Sequence, residues 1–105
     1  MYEVSWGAAL AAAIADRFGP ERTAPGGLSE SDFVAGPLAV ALVAFRRFDE
    51  LPEEAGPAVR SYHTVDPMFG AVVFVGVLVA ERHVEIASYD IDPDYWDMVR
   101  GDPTD

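Results

Sequence analysis

The sequence predicts an α+β domain in the order β-α-α-β-β-β, with two helices packed on one face of a mainly antiparallel sheet. Three observations predict it. From Ala8 to Phe48, apolar residues recur at helical spacing among many Ala. From Val59 to Tyr89, the pattern changes to short β-branched runs separated by turn residues. A brief period-2 alternation, Tyr2 to Trp6, precedes both. With 105 residues, 50% of them apolar, the chain is expected to form a single domain, 1–105, that holds together without staples.

Each element has its own signal. Tyr2, Val4 and Trp6 alternate with Glu3 and Ser5, the pattern of a half-buried strand that Gly7 ends. Residues 8–18 are Ala-rich, with Leu10, Ile14 and Phe18 on one helical face. Gly19-Pro20 stops this helix, and residues 19–28 read as an exposed loop. A second helical region opens at Ser29 or Ser31. Ser29 followed by Asp32 approximates a capping box. Gly36-Pro37 is expected to break or kink it, or to start a new helix with Pro37 in its first turn. Leu38, Ala41, Leu42, Phe45 and Phe48 form the buried stripe. Arg46 and Arg47 suit the C-terminal end of the helix dipole. Pro52 and Gly56-Pro57 terminate the region.

The strands follow. Val59 to Val65 is one, and Asp66-Pro67 turns the chain. Ala71 to Val79 is apolar at every position outside its Gly, which predicts a central strand buried on both faces. Ala80-Glu81-Arg82 makes a hairpin turn. His83 to Tyr89 alternates again, with Val84 and Ile86 on one face. An Asp-rich segment follows, with a short helix expected around Tyr95-Trp96 and an acidic tail over 97–105.

Charge bounds the function. The chain carries 18 Asp and Glu against 7 basic residues, all Arg, for a formal net charge of −11. Such a surface repels nucleic acid and anionic membranes and attracts basic partners. Lys, Asn and Gln are absent while Ala is abundant, a composition expected of a high-GC bacterium or its phage. A salt-adapted source would also give many carboxylates and no Lys. Cys is absent, which excludes disulfides, thiolate metal sites and Cys nucleophiles. Met1 to Trp6 lacks a basic n-region, so no signal peptide is expected. The apolar run Pro67 to Ala80 is too short to span a bilayer as a helix. The expectation is a soluble cytoplasmic protein.

No catalytic motif is present, so binding is expected rather than catalysis, with no cofactor. Asp90, Asp92 and Asp94 begin like a calcium loop, but its sixth and twelfth positions hold Tyr95 and Gly101 in place of Gly and Glu. No metal site is expected. Gly26-Gly27 lacks the Lys and helix of a phosphate loop. His63 and His83 stand on strands near Arg60 and Arg82. Brought to one sheet face with a Tyr, they could do acid–base work on a phosphodiester. Otherwise they are surface or satisfied half-buried residues. Tyr89, Tyr95 and Trp96 interleave with the three Asp carboxylates, as aromatics do at interface hot spots, or Trp96 simply docks the tail on the sheet.

The strand Tyr2-Glu3-Val4-Ser5-Trp6, two helices, a strand and a hairpin running to Asp94-Tyr95-Trp96 make a layout that resembles the RelE/ParE-like toxin superfamily. The resemblance covers residues 2–96 and rests on order and hydrophobic pattern. It implies the fold and, for ribonuclease members, basic and aromatic residues that handle mRNA. The corresponding positions would be Arg60, Arg82, His83 and Tyr95. The chain departs from that pattern at Asp90, Asp92 and Asp94, where such toxins present cations, and phosphate neutralisation needs cations. The resemblance therefore implies the fold without the activity.

The leading expectation is a small acidic protein–protein interaction module, of immunity or antitoxin type, that masks a basic protein. Asp90, Asp92, Asp94, Tyr95 and Trp96 form its expected partner-facing patch, with Glu50, Glu53 and Glu54 as the next acidic candidate. The alternatives are a RelE/ParE-like toxin and a structural domain of a salt-adapted organism.

Overall fold

The computed structural model describes residues 1–18 and 29–92. Its elements are β1 (Glu3–Trp6), α1 (Ala8–Phe18), α2 (Glu30–Phe33), a π turn (Val34–Leu38), α3 (Ala39–Ala44), a 3₁₀ turn (Phe45–Glu50), β2 (Val59–Asp66), β3 (Gly70–Ala80) and β4 (His83–Ile91). The strands form one four-stranded sheet in the order β1-β4-β3-β2. β2 and β4 run antiparallel to β3, and β1 joins the β4 edge in parallel. This is the expected α+β fold. The loop 19–28, the helix expected around Tyr95-Trp96 and the tail over 97–105 lie outside the described residues. Among the described residues, no helix is long and apolar enough to cross a membrane.

Local chemistry explains the helical layer. Ser29 and Asp32 close a full capping box. The Ser29 hydroxyl accepts from the Asp32 N–H, and the Asp32 carboxylate accepts from the Ser29 N–H. Pro37 neither breaks the helix nor starts a new one. The backbone widens into the π turn, which absorbs the missing donor and the ring, and stays right-handed helical into Ala39. The run then tightens into the 3₁₀ turn. Arg47 breaks its helical geometry, and Phe45 and Phe48 on either side of that kink are both buried in the core.

The core lies between the helices and one sheet face. Leu10 and Ile14 of α1 join Phe33, Leu38, Ala41, Phe45 and Phe48 over Val72, Phe74, Val84, Ile86 and Ile91. Phe33 sits at the centre of an aromatic cluster. Its ring centroid lies 5.1 Å from Phe18, 5.2 Å from Phe69, 5.8 Å from Phe74 and 4.9 Å from Tyr89. Asp66 turns β2 into β3 by accepting the N–H groups of Met68 and Phe69, and this delivers Phe69 to the cluster.

One glycine is needed for close approach. A Cβ on Gly76 would stand 2.6 Å from Cε1 of Phe45 and 3.1 Å from Cγ1 of Val84. The Phe45 ring therefore lies directly on the β3 backbone. Gly76→Ala should cost about 1–3 kcal/mol by overpacking. A urea melt checks this, and an unchanged midpoint would mean that the ring does not rest there.

β3 is central but is not buried on both faces. Val72, Phe74 and Gly76 face the helices and are buried. Ala71, Val73, Val75 and Val77 face the other way and are half-buried, and Val79 is 55% exposed. The two-sided apolar pattern suggested cover on both faces. Among the described residues, the helices cover only one.

Candidate functional site: the uncovered face of the sheet

The register places every side chain of this second face. Ala71, Val73, Val75 and Val77 run down its centre on β3. On β2 they are opposed by Val65, His63, Ser61 and Val59 respectively. On the β4 side, Val73 faces Asp90, Val75 faces Ser88, and Val77 faces Glu85. Beyond β4, Ser5 pairs with Glu85 and Glu3 with His83.

A bulge decides which β4 residues reach this face. Gly76 pairs with Ile86, but Val75 pairs with Ser88, so Ala87 is an extra residue. Before it, Val84 and Ile86 point to the core. After it, Tyr89 and Ile91 do, and Ser88 and Asp90 turn outward. Without the extra residue, period 2 would carry Asp90 to the core side with Ile86. Asp90 thus belongs to a strand and not to a tail. It is exposed, and its side chain makes no hydrogen bond or ion pair among the described residues. Asp92 lies just past the strand, and its N–H extends the ladder to the Ala71 carbonyl at 3.0 Å. A concavity of about 490 Å³ opens at this end, lined by His63, Val65, Ala71, Val73, Asp90 and Asp92. Asp94, Tyr95 and Trp96 lie outside the described residues.

The second acidic candidate contributes one group. Glu54 reaches this face and accepts a 2.7 Å hydrogen bond from the Ser61 hydroxyl, which is buried beneath it. The valine stripe therefore has Asp90 and Glu85 on its β4 flank and Glu54 on its β2 flank. Glu53 instead meets the Arg60 guanidinium at 3.5 Å, and Glu50 is exposed near the other end of the molecule, by Arg46 and Arg82.

Among the described residues implied by the toxin resemblance, Arg60 does not join His83. Arg60 pairs with Gly76 and so points to the helical side of the sheet, whereas His83 lies on the uncovered side. The Arg60 guanidinium donates to the carbonyls of Pro57, Asp49 and Leu51, and it stands 5.4 Å from the Phe48 ring centroid. It clamps the loop 49–57 to the sheet edge. Arg82 lies over the Tyr2 ring, its Cζ 6.0 Å from the centroid. Tyr95 is outside the described residues. His83 Nε2 and Ser5 Oγ share a 2.7 Å hydrogen bond. Among the described residues no third group orients the ring, as a nucleophile–base pair would need. The Glu85 carboxylate also packs against Gly7 beside Ser5, where it opposes a developing oxyanion. The pair reads as a hydrogen bond between neighbouring strands. His63 is exposed, 3.5 Å from the Ser61 hydroxyl.

Two features escaped the sequence. Arg46 and Arg47, assigned there to a helix end, line one concavity with Arg82 and Tyr2. Asp49, Glu50 and Glu81 line it too, so its charges offset. The outward valines were the other, since their pattern signalled burial. Among the described residues, no group of three or more His, Asp and Glu could hold a metal ion. Comparison with protein-family models, curated proteins and solved structures found no match for the chain.

Proposed function

We propose that this chain is a protein–protein interaction module that receives a basic partner on the uncovered face of its sheet, as an immunity- or antitoxin-type inhibitor would. One observation carries the reading: Val73, Val75 and Val77 form a half-exposed apolar stripe on β3, with Asp90 opposite Val73 on β4. An apolar strip rimmed by charge is the anatomy of a docking surface. The carboxylates would steer a cationic protein, and the valines would supply short-range affinity. The patch expected from sequence, Asp90 to Trp96, is extended here to include the stripe.

The RelE/ParE-like toxin reading has one geometric support, the gathering of Arg46, Arg47 and Arg82. The intervening carboxylates leave little net field there for an RNA backbone. The experiment uses the products of the flanking reading frames. A basic product is expected to bind, with an association rate that falls as salt shortens the Debye length from about 10 to about 3 Å. Replacing Asp90, Asp92 and Asp94 by Asn should slow association and flatten that salt dependence. The same titration against single-stranded RNA should show no binding near physiological salt. RNA binding that Arg82→Ala abolishes would reverse the order of the two readings. Stability that rises with salt, with no partner found, would point to salt adaptation.

A further inference from the structure

The uncovered face has a shape as well as a charge. Its apolar strip is one strand wide at its middle and reaches β2 at its ends through Val59 and Val65. The residues that oppose Val73 and Val75 are His63 and Ser61 on β2, and Asp90 and Ser88 on β4. Neighbouring strands lie about 4.8 Å apart, so the β2 and β4 backbones that flank the strip stand about 10 Å from each other. From Ala71 to Val77 the strip runs about 20 Å at about 3.3 Å per residue.

These dimensions select among occupants. The backbone groups of β3 are already paired on both sides, so an extended peptide cannot add as a strand here. A second sheet needs an apolar face several strands wide, and this face is polar along β4 and at His63 and Ser61 in the middle of β2. A helix is about 10–12 Å across, matching the strip, and about 13 residues cover its length. A second copy of this chain would bring another −11 charges against the same carboxylates. The flanking carboxylates complement Lys or Arg on both sides of an apolar helix face.

We infer that the occupant of this face is a basic amphipathic helix of the partner, laid along β3 with its apolar side on Val73, Val75 and Val77 and its cations toward Asp90 on one side and Glu54 on the other. This rests on the proposed interaction role and names the element that fills it. The helix would complete a three-layer arrangement, with the chain's own helices on the opposite side of the sheet. The concavity between His63, Val73 and Asp90 would take one long cationic side chain, its stem on Val65 and Ala71.

The test titrates the full chain with a synthetic 14-residue Leu/Lys peptide whose leucines follow helical spacing. A peptide of identical composition in scrambled order is the control. Binding is followed by calorimetry and peptide helicity by circular dichroism. The amphipathic peptide is expected to gain helicity and to bind at least about tenfold more tightly than the scrambled one. Val75→Asp should weaken it about tenfold or more, and Asp90→Asn about threefold with a flatter salt dependence. Val75→Thr, which keeps shape and strand preference, should weaken it in the same direction if the aspartate variant fails to fold. Val43→Asp, on the helical layer and 62% exposed in the wild type, should change nothing. Equal binding of both peptides, or indifference to Val75→Asp and Val75→Thr, would overturn the inference. So would a dimer that these substitutions dissociate. A basic partner that loses affinity on Val75→Asp but is not displaced by the amphipathic peptide would overturn the helix while leaving the interaction role standing.

Discussion

Phe33→Ala is expected to destabilise the domain by about 3–5 kcal/mol, with Phe74→Ala close behind. Both rings are fully buried. Phe33 contacts rings from α1, from the β2–β3 turn, from β3 and from β4. No single neighbour can move to fill its space without losing its own contacts, so the cavity should persist. A domain of this size has a total stability of about 5–15 kcal/mol, and the loss is a large part of it. Urea denaturation should show a much lower midpoint at unchanged slope. A shift worth under about 1 kcal/mol would mean that the rings do not interlock in solution. Phe33→Leu should recover much of the loss, since it keeps most of the volume.

Arg60→Ala is expected to cost about 2–3 kcal/mol. The side chain is 14% exposed, and its guanidinium serves three carbonyls that no other group among the described residues is seen to satisfy. Removing it leaves those oxygens without their donor and uncovers part of the Phe48 ring. Its ion pair with the exposed Glu53 adds little. Arg60→Lys should recover less than half, because an ammonium cannot reach three carbonyls in one planar fork. The measurement separates the two roles offered for this residue. A clamp lowers the urea midpoint, with Lys a poor substitute. A cation used only to contact RNA leaves the midpoint in place.

What was legible in the sequence was whatever depends on neighbours along the chain. Ser29 and Asp32 are three residues apart, and their capping box can be read from that spacing. Val84 and Ile86 alternate, and they are core residues. What was not legible depends on chains meeting in space. Arg60 acquires its task because the loop 49–57 folds back on the edge of β2, and no local pattern announces that. Val73, Val75 and Val77 read as buried because a run apolar at nearly every position ordinarily signals cover on both faces. The pattern was read correctly as a central strand. It could not say that, among the described residues, the helices cover only one of its faces. For Asp90 the reason is different. The sequence ends the strand at Tyr89 and starts the Asp-rich segment there, whereas Asp90 is held on β4 and faces outward only because Ala87 shifts the phase.

That one extra residue makes β4 sensitive to length in a way that it is not sensitive to identity. Ala87 is exposed, and most side chains would be tolerated there. Deleting it would exchange inside and outside for the last four of the nine residues of the strand in a single step. Asp90 would swing toward Phe33 and Phe74, while Tyr89 and Ile91 would swing into water. Adding one residue beside it would do the same. Related chains should therefore vary freely in the letter at this position and keep the count between Ile86 and Asp90 constant. The spacing, more than any one residue within it, is the inherited quantity.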